Sequence, residues 1–180
     1  VSIPSDGVPY ALFSYAALLP WTFFANAVTN CGPSVATNAN IVKKIALPRE
    51  VFPLAAVVTA LFDFGMAGLV MAGMMVYYQV RVSWSLLWVP VLLLVAGTLA
   101  FGIGMVLAAL GTFRRDFILA APLLMQFWLY ATPVMYPLSS VPDRWRALYM
   151  LNPMVGVIEG FRSVVIRSQA PVLGPLSWSL

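Results

Sequence analysis

Two long stretches almost free of charge bracket one short polar segment, and this constrains the chain more than any other feature. No charged residue occurs from Gly7 to Val42, and from Val51 to Val80 the only charge is Asp63. Between them lies NANIVKKIALPREVFP, residues Asn38 to Pro53, which holds Lys43, Lys44, Arg49 and Glu50 and is closed by Pro48 and Pro53. About 20 consecutive apolar residues suffice for a helix to cross the hydrocarbon core of a bilayer. Of the 180 residues 62% are hydrophobic and only 9% are charged, with a mean hydropathy of +0.91. A soluble domain carries about 25% charged residues, so this chain lacks the polar surface to coat a water-soluble globule. The apolar residues come in blocks rather than in every second position, which selects helices over a membrane β-barrel. The fold class is therefore all-α, a polytopic helical membrane protein.

The charges exclude several functions. The net charge is +4 with no histidine, and the basic residues fall between apolar blocks rather than in a stripe. An anionic leaflet is thus a simpler partner for them than nucleic acid. A single cysteine, Cys31, leaves no internal disulfide and no cysteine-rich metal site; it sits in an apolar run and is expected to be packed inside. A membrane-embedded transferase would need an acid–base pair or metal ligands, but the six acidic residues are scattered along the chain. An ion-coupled transporter would show internal repeats and paired ionisable groups inside its spans, whereas only Asp63 lies well inside one. Asp63 is expected to be a buried acid, costly in lipid and so a functional candidate, with an interhelix hydrogen bond near the cytoplasmic end as the favoured alternative.

The apolar blocks predict four membrane segments. The first runs from Tyr10 to about Thr37, with Pro20 and Gly32-Pro33 expected to kink or interrupt it. Asn26, Asn30 and Asn38 fall near one face of it, a face expected to turn toward protein or water rather than lipid. The polar segment Asn38–Glu50 reads as a short amphipathic surface helix that Pro48 ends. The second segment is Val51–Tyr78, in which Gly65, Gly68 and Ala72 offer a small-residue face for close helix contact. The third is Leu86–Thr112, with a comparable stripe at Gly104, Ala108 and Gly111. The basic turn FRRD, containing Arg114, Arg115 and Asp116, leads to the fourth, Ile118 to about Tyr136. From Pro137 to Arg167 the chain is neither apolar nor long enough to span, which suits short helices at or dipping into the interface. Within it, Glu159 and Arg162 are spaced i, i+3 and expected to pair. The excess of Lys and Arg places the polar segment and FRRD on the cytoplasmic side.

NANIVKKIALPREVFPL, the FRRD turn and ATPVMYPLSSVPDRWRALYMLNPMVGVIEGFR together resemble the transmembrane subunits of ABC-2 type exporters of polysaccharides and polyol phosphates, the O-antigen, capsule and teichoic-acid permeases. The resemblance covers nearly the whole chain. It implies one ABC-2 type transmembrane domain over residues 1–180, truncated at both ends, and a permease of the bacterial inner membrane. Two copies would form the channel. ATP and Mg would be bound by a separate ATP-binding subunit, with no cofactor on this chain. A lipid-linked glycan would be the cargo, and lipid or drug substrates of the wider superfamily are the alternative.

The resemblance also implies roles. Residues 38–50 would form a coupling helix that docks on the ATPase through Asn40, Lys43, Lys44, Pro48, Arg49 and Glu50. Residues 137–167 would form a re-entrant arm that closes the outer side, with Trp145, Tyr149, Glu159 and Arg162 at the gate. Arg114, Arg115 and Asp116 would be a cytoplasmic turn, with the glycan diphosphate as a further possible contact. Trp21, Phe24, Phe127, Trp128, Tyr130 and Tyr136 are candidates for stacking on sugar rings, with apolar packing as the competing role.

Overall fold

The computed structural model describes residues 9–38, 48–80, 83–134, 149 and 152–166. These form α1 (Tyr10–Thr37), α2 (Val51–Tyr77), a 3-10 helix (Trp84–Trp88) leading straight into α3 (Val89–Phe113), α4 (Asp116–Ala131) and α5 (Pro153–Val165). Three of these are long and apolar enough to cross a membrane: α1, α2, and the 3-10 helix joined to α3. The fourth expected segment is shorter than its sequence suggests. α4 has 16 residues, about 24 Å at 1.5 Å per residue. It stops because Thr132 precedes Pro133 and takes the extended conformation that a following proline favours.

α1 is the axis of the bundle. It packs against α2, α3, α4 and α5, and 61% of its most apolar window is buried, against 11% for α2. Leu12, Ala16, Phe24, Ala27 and Val28 are fully enclosed. The helix continues through Pro20 and Pro33 without the interruption expected of them. Both prolines lie in a helix braced by neighbours, which is where such residues are tolerated in membranes.

The two small-residue stripes behave differently. A Cβ on Gly104 would lie 2.4 Å from Cys31 Cβ, so α1 and α3 meet there almost backbone to backbone. Cys31 itself is fully buried, and its thiol donates to Pro53 O on α2 at 3.2 Å. Gly111 likewise admits the side chain of Ile118 across the α3–α4 turn. By contrast, nothing lies within 4 Å of a Cβ on Gly65 or Gly68, and Ala72 is exposed. The expected close helix contact of α2 is not made through that stripe within this chain. α2 turns Pro53, Ala60, Met71 and Met75 inward instead.

α2 ends in a full Schellman cap. Gln79 takes φ 53°, its N–H donates to Val76 O, and Val80 N–H donates to Met75 O at 3.0 Å. Gln79 thus occupies a left-handed position that normally falls to glycine.

Candidate functional site

The contacts among Cys31, Gly104 and Pro53 bring the last two turns of α1, the start of α2 and the C-terminal half of α3 to one level. The same end of the bundle therefore carries Arg49 and Glu50 before α2 and the FRRD turn after α3. Pro48, Arg49, Glu50, Arg114, Arg115 and Asp116 are all exposed. Asp116 stands in the first turn of α4, where a carboxylate complements the helix dipole. Asn40, Lys43 and Lys44 lie outside the described residues. At the opposite end the exposed side chains are aromatic, with Tyr77 at 80% and Trp84 at 87% exposure, an interfacial belt.

That half of the bundle is built around α5. Its N-cap Asn152 accepts from Met154 N at 3.1 Å and is followed by Pro153 at the first helical position, a favoured start. The Asn152 amide also donates to Thr132 Oγ1 at 2.9 Å, and that hydroxyl donates to Trp128 O at 2.9 Å. One side chain thus joins the start of α5 to the end of α4. At the other end of α5, Arg162 donates to Pro133 O at 3.1 Å and to Val134 O. The short segment Thr132–Val134 is therefore held at both ends of α5. Ser85 of the 3-10 helix donates to Val164 O at 3.2 Å and occupies a carbonyl of the last turn.

Arg162 is 3% exposed, its guanidinium lies 4.0 Å from the Phe13 ring centroid, and its NH1 is 3.9 Å from Glu159 Oε2. The expected i, i+3 ion pair is present, but it is longer than the hydrogen bond to the Pro133 carbonyl. The carbonyls and the ring, both invisible in the local sequence, share the guanidinium with it. α5 is also not surface-lying: from Met154 to Val165 only Glu159 escapes burial. Tyr149 is half-buried, and its carbonyl accepts from Asn152 N at 3.1 Å. Trp145 and Tyr136 fall outside the described residues.

The remaining aromatic candidates divide. Trp21, Phe24 and Trp128 pack on one another, with ring centroids 5.4 to 6.4 Å apart. Trp21 and Phe24 are enclosed and present no open ring face. Phe127 and Tyr130 are 67% and 69% exposed and do.

The polar residues of the spans collect on another flank of α1. Tyr15 Oη donates to Ala67 O of α2 at 3.1 Å, which fixes how the two helices face. Thr22 and Asn26 follow Tyr15 at i+7 and i+11, and Asp63 precedes Ala67 by one turn, so helical spacing puts them along the same seam. Thr22, Asn26, Asn30, Thr59 and Asp63 are all exposed. Asp63 is accordingly not the enclosed acid expected from the sequence. The side of α2 that faces the core is taken by Ala60, Phe64 and Met71, and Asp63 points off it.

Residues 6–166 match the family described as ABC-2 type transporter. The chain is 28% identical over 169 residues to an O-antigen export system permease protein, RfbA, of Myxococcus xanthus. It is 31% identical over 168 residues to the protein of the same name from Klebsiella pneumoniae. Each match covers 93% of this chain, while the chain spans 65% and 63% of those relatives' lengths.

Proposed function

The chain belongs to the ABC-2 type transporter family, and from that premise we propose that it is the permease part of a bacterial exporter of lipid-linked polysaccharide. The observation that carries this is the similarity, over 93% of the chain, to proteins named as O-antigen export permeases. The polymer moves from the cytoplasmic side of the plasma membrane outward, and a separate ATP-binding subunit hydrolyses the ATP. Two copies of the permease enclose the path.

The charged end of the bundle faces the cytoplasm in this reading, in keeping with the positive-inside bias. Residues 38–50 couple the two subunits. Lys43, Lys44, Arg49 and Glu50 grip the ATPase, and its closure tilts α1 and α2, the helices that this segment joins. Such coupling requires contacts that differ between the two states of the partner. The exposure of Arg49 and Glu50 beside the first turn of α2 supports it.

At the outer end, α5 with Glu159 and Arg162 acts as the closure. The anchoring of Thr132–Val134 at both ends of α5 supports that role, because α4 and the arm then move as one body. Phe127 and Tyr130 are the rings that meet sugar. The seam of Asn26, Asn30 and Asp63 borders water, since amides and a carboxylate are costly against hydrocarbon.

The decisive experiment is ATPase activity of the full-length protein, purified with its cognate ATP-binding subunit in lipid, with and without Lys43→Glu/Lys44→Glu. Uncoupling or dissociation of the ATPase is the expected result. Unchanged assembly and turnover would make residues 38–50 an ordinary basic loop and remove the proposed mechanism.

A further inference from the structure

On the flank of α2 away from the polar seam, α2 and α3 part to leave an open groove of about 600 Å³, within the range of specific small-molecule sites. Leu54 and Leu61 form one wall and Leu94 and Thr98 the other, with Phe23 of α1 and Gly97 at its base. Leu54, Leu61 and Leu94 are 52%, 44% and 68% exposed. All of these residues belong to helices long and apolar enough to cross a membrane, so the groove is a concavity in a surface that faces hydrocarbon.

Its chemistry is apolar throughout. Thr98 is the one lining residue with a hydroxyl, and that hydroxyl donates to Leu94 O and Val95 O of its own helix, both at 2.9 Å. It therefore presents its methyl group to the groove. The base is deep because Gly97 has no side chain; a Cβ there would meet Phe23 at 3.7 Å and Val57 at 3.9 Å. Leu54, Leu61, Gly65, Gly68 and Ala72 follow one another at helical spacing along the same flank, and nothing stands within 4 Å of a Cβ on Gly65 or Gly68. The line is open for 18 residues of helix, about 27 Å, close to the roughly 30 Å of the hydrocarbon core.

The α2 wall of the groove begins at Leu54, about one turn from exposed Arg49, which precedes α2 at the charged end of the bundle. We propose that this groove is a binding site for one membrane phospholipid, its acyl chain between α2 and α3 and its phosphate at Arg49. Helices associating in a bilayer rely on polar side chains or small residues for attraction. The widest part of the groove has leucine walls and no free polar group, which suits a flexible chain better than a helix. Arg49 supplies the charge that a phosphate complements. The inference needs only the bilayer placement and is independent of what the protein exports.

The test is native mass spectrometry of the full-length protein released from nanodiscs of phosphatidylglycerol and phosphatidylethanolamine. Wild type is expected to retain one phospholipid per copy. Thr98→Trp, which fills the groove from an exposed position, is expected to lower retention at least fivefold, and Arg49→Gln to remove any preference for phosphatidylglycerol. Leu119→Trp, on the exposed side of α4, should change neither. No retained lipid in wild type, or equal retention in Thr98→Trp, would overturn the proposal. So would efficient disulfide cross-linking of Leu94→Cys to a second helix in the membrane, or displacement of the phospholipid by an equimolar polyprenyl phosphate, which would assign the groove to a carrier lipid.

Discussion

The guanidinium of Arg162 lies over the ring of Phe13, 4.0 Å from its centroid, and so joins α5 to the first turn of the central helix. The same group holds the carbonyls of Pro133 and Val134. Charge-assisted hydrogen bonds contribute about 1.5–3 kcal/mol each, and a desolvated cation–π contact about 2. Arg162→Ala is expected to destabilise the full-length protein by about 3–5 kcal/mol, the range for breaking a buried charged cluster. That corresponds to a drop on the order of 10 °C in thermal midpoint in detergent. Arg162→Lys should recover less than half of it, because an ammonium cannot serve two carbonyls and lie flat on a ring at once. Full recovery with lysine would show that charge alone matters there.

Two glycines in similar sequence settings should respond oppositely. Gly104→Ala places a methyl 2.4 Å from Cys31 Cβ, and overpacking of this kind costs about 1–3 kcal/mol. Adding Cys31→Gly should return part of the loss, which a double-mutant cycle would measure. Gly65→Ala meets nothing within 4 Å and is expected to be neutral or to stabilise by up to about 1 kcal/mol through the unfolded chain. A loss at Gly65 matching that at Gly104 would mean that another helix covers this flank in the assembled protein.

Gln79 pays for its left-handed backbone without the conformational freedom of glycine. Gln79→Gly keeps the Schellman hydrogen bonds and relieves a cost of about 1 kcal/mol. Thermal unfolding should show a rise of about 2–4 °C, and Gln79→Val a fall, since β-branched residues tolerate this region least.

Labelling with a charged, membrane-impermeant maleimide tests which surfaces are wet. Native Cys31 is fully buried and should react only after denaturation. In a Cys31→Ser background, Asn30→Cys is expected to label, whereas Leu94→Cys, on the α2–α3 surface that faces hydrocarbon, is not. Equal silence at both positions would show that the polar seam is sealed.

Helix boundaries were legible because charge and proline mark them. Tyr10–Thr37 and Val51–Tyr77 follow directly from the charge-free runs, and Asn152-Pro153 is a cap signature that local sequence carries. The positions of the helices relative to one another were not legible in the same way. Nothing near Phe13 announces that Arg162, far along the chain, will rest on it, and nothing near Thr132 announces Asn152. Gly104 and Gly65 sit in equivalent small-residue patterns, yet only one faces a neighbour, because periodicity defines a face without saying what it meets. Asp63 was misjudged for the same reason: a lone acid in a span must avoid hydrocarbon, but that requirement does not choose between enclosure within one chain and exposure along a seam. Residues 39–47 and 135–148, which carry Asn40, Lys43 and Lys44 of the expected coupling set and Trp145 of the expected gate, lie outside the described residues.

The burial of α5 has a consequence for how the protein is made. Its 13 residues extend about 20 Å, too short to cross a bilayer, and almost no side of it is left to face lipid. α1, α2 and α3 can each enter the membrane as they emerge from the ribosome. α5 has no such option, because the space it occupies exists only after α1, α3 and the 3-10 helix have come together. Biogenesis therefore includes a seating step, in which a semi-polar helix carrying Arg162 leaves the interface for a cavity already formed. A defect anywhere in the α1–α3 packing would strand that helix outside, where quality-control proteases can reach it.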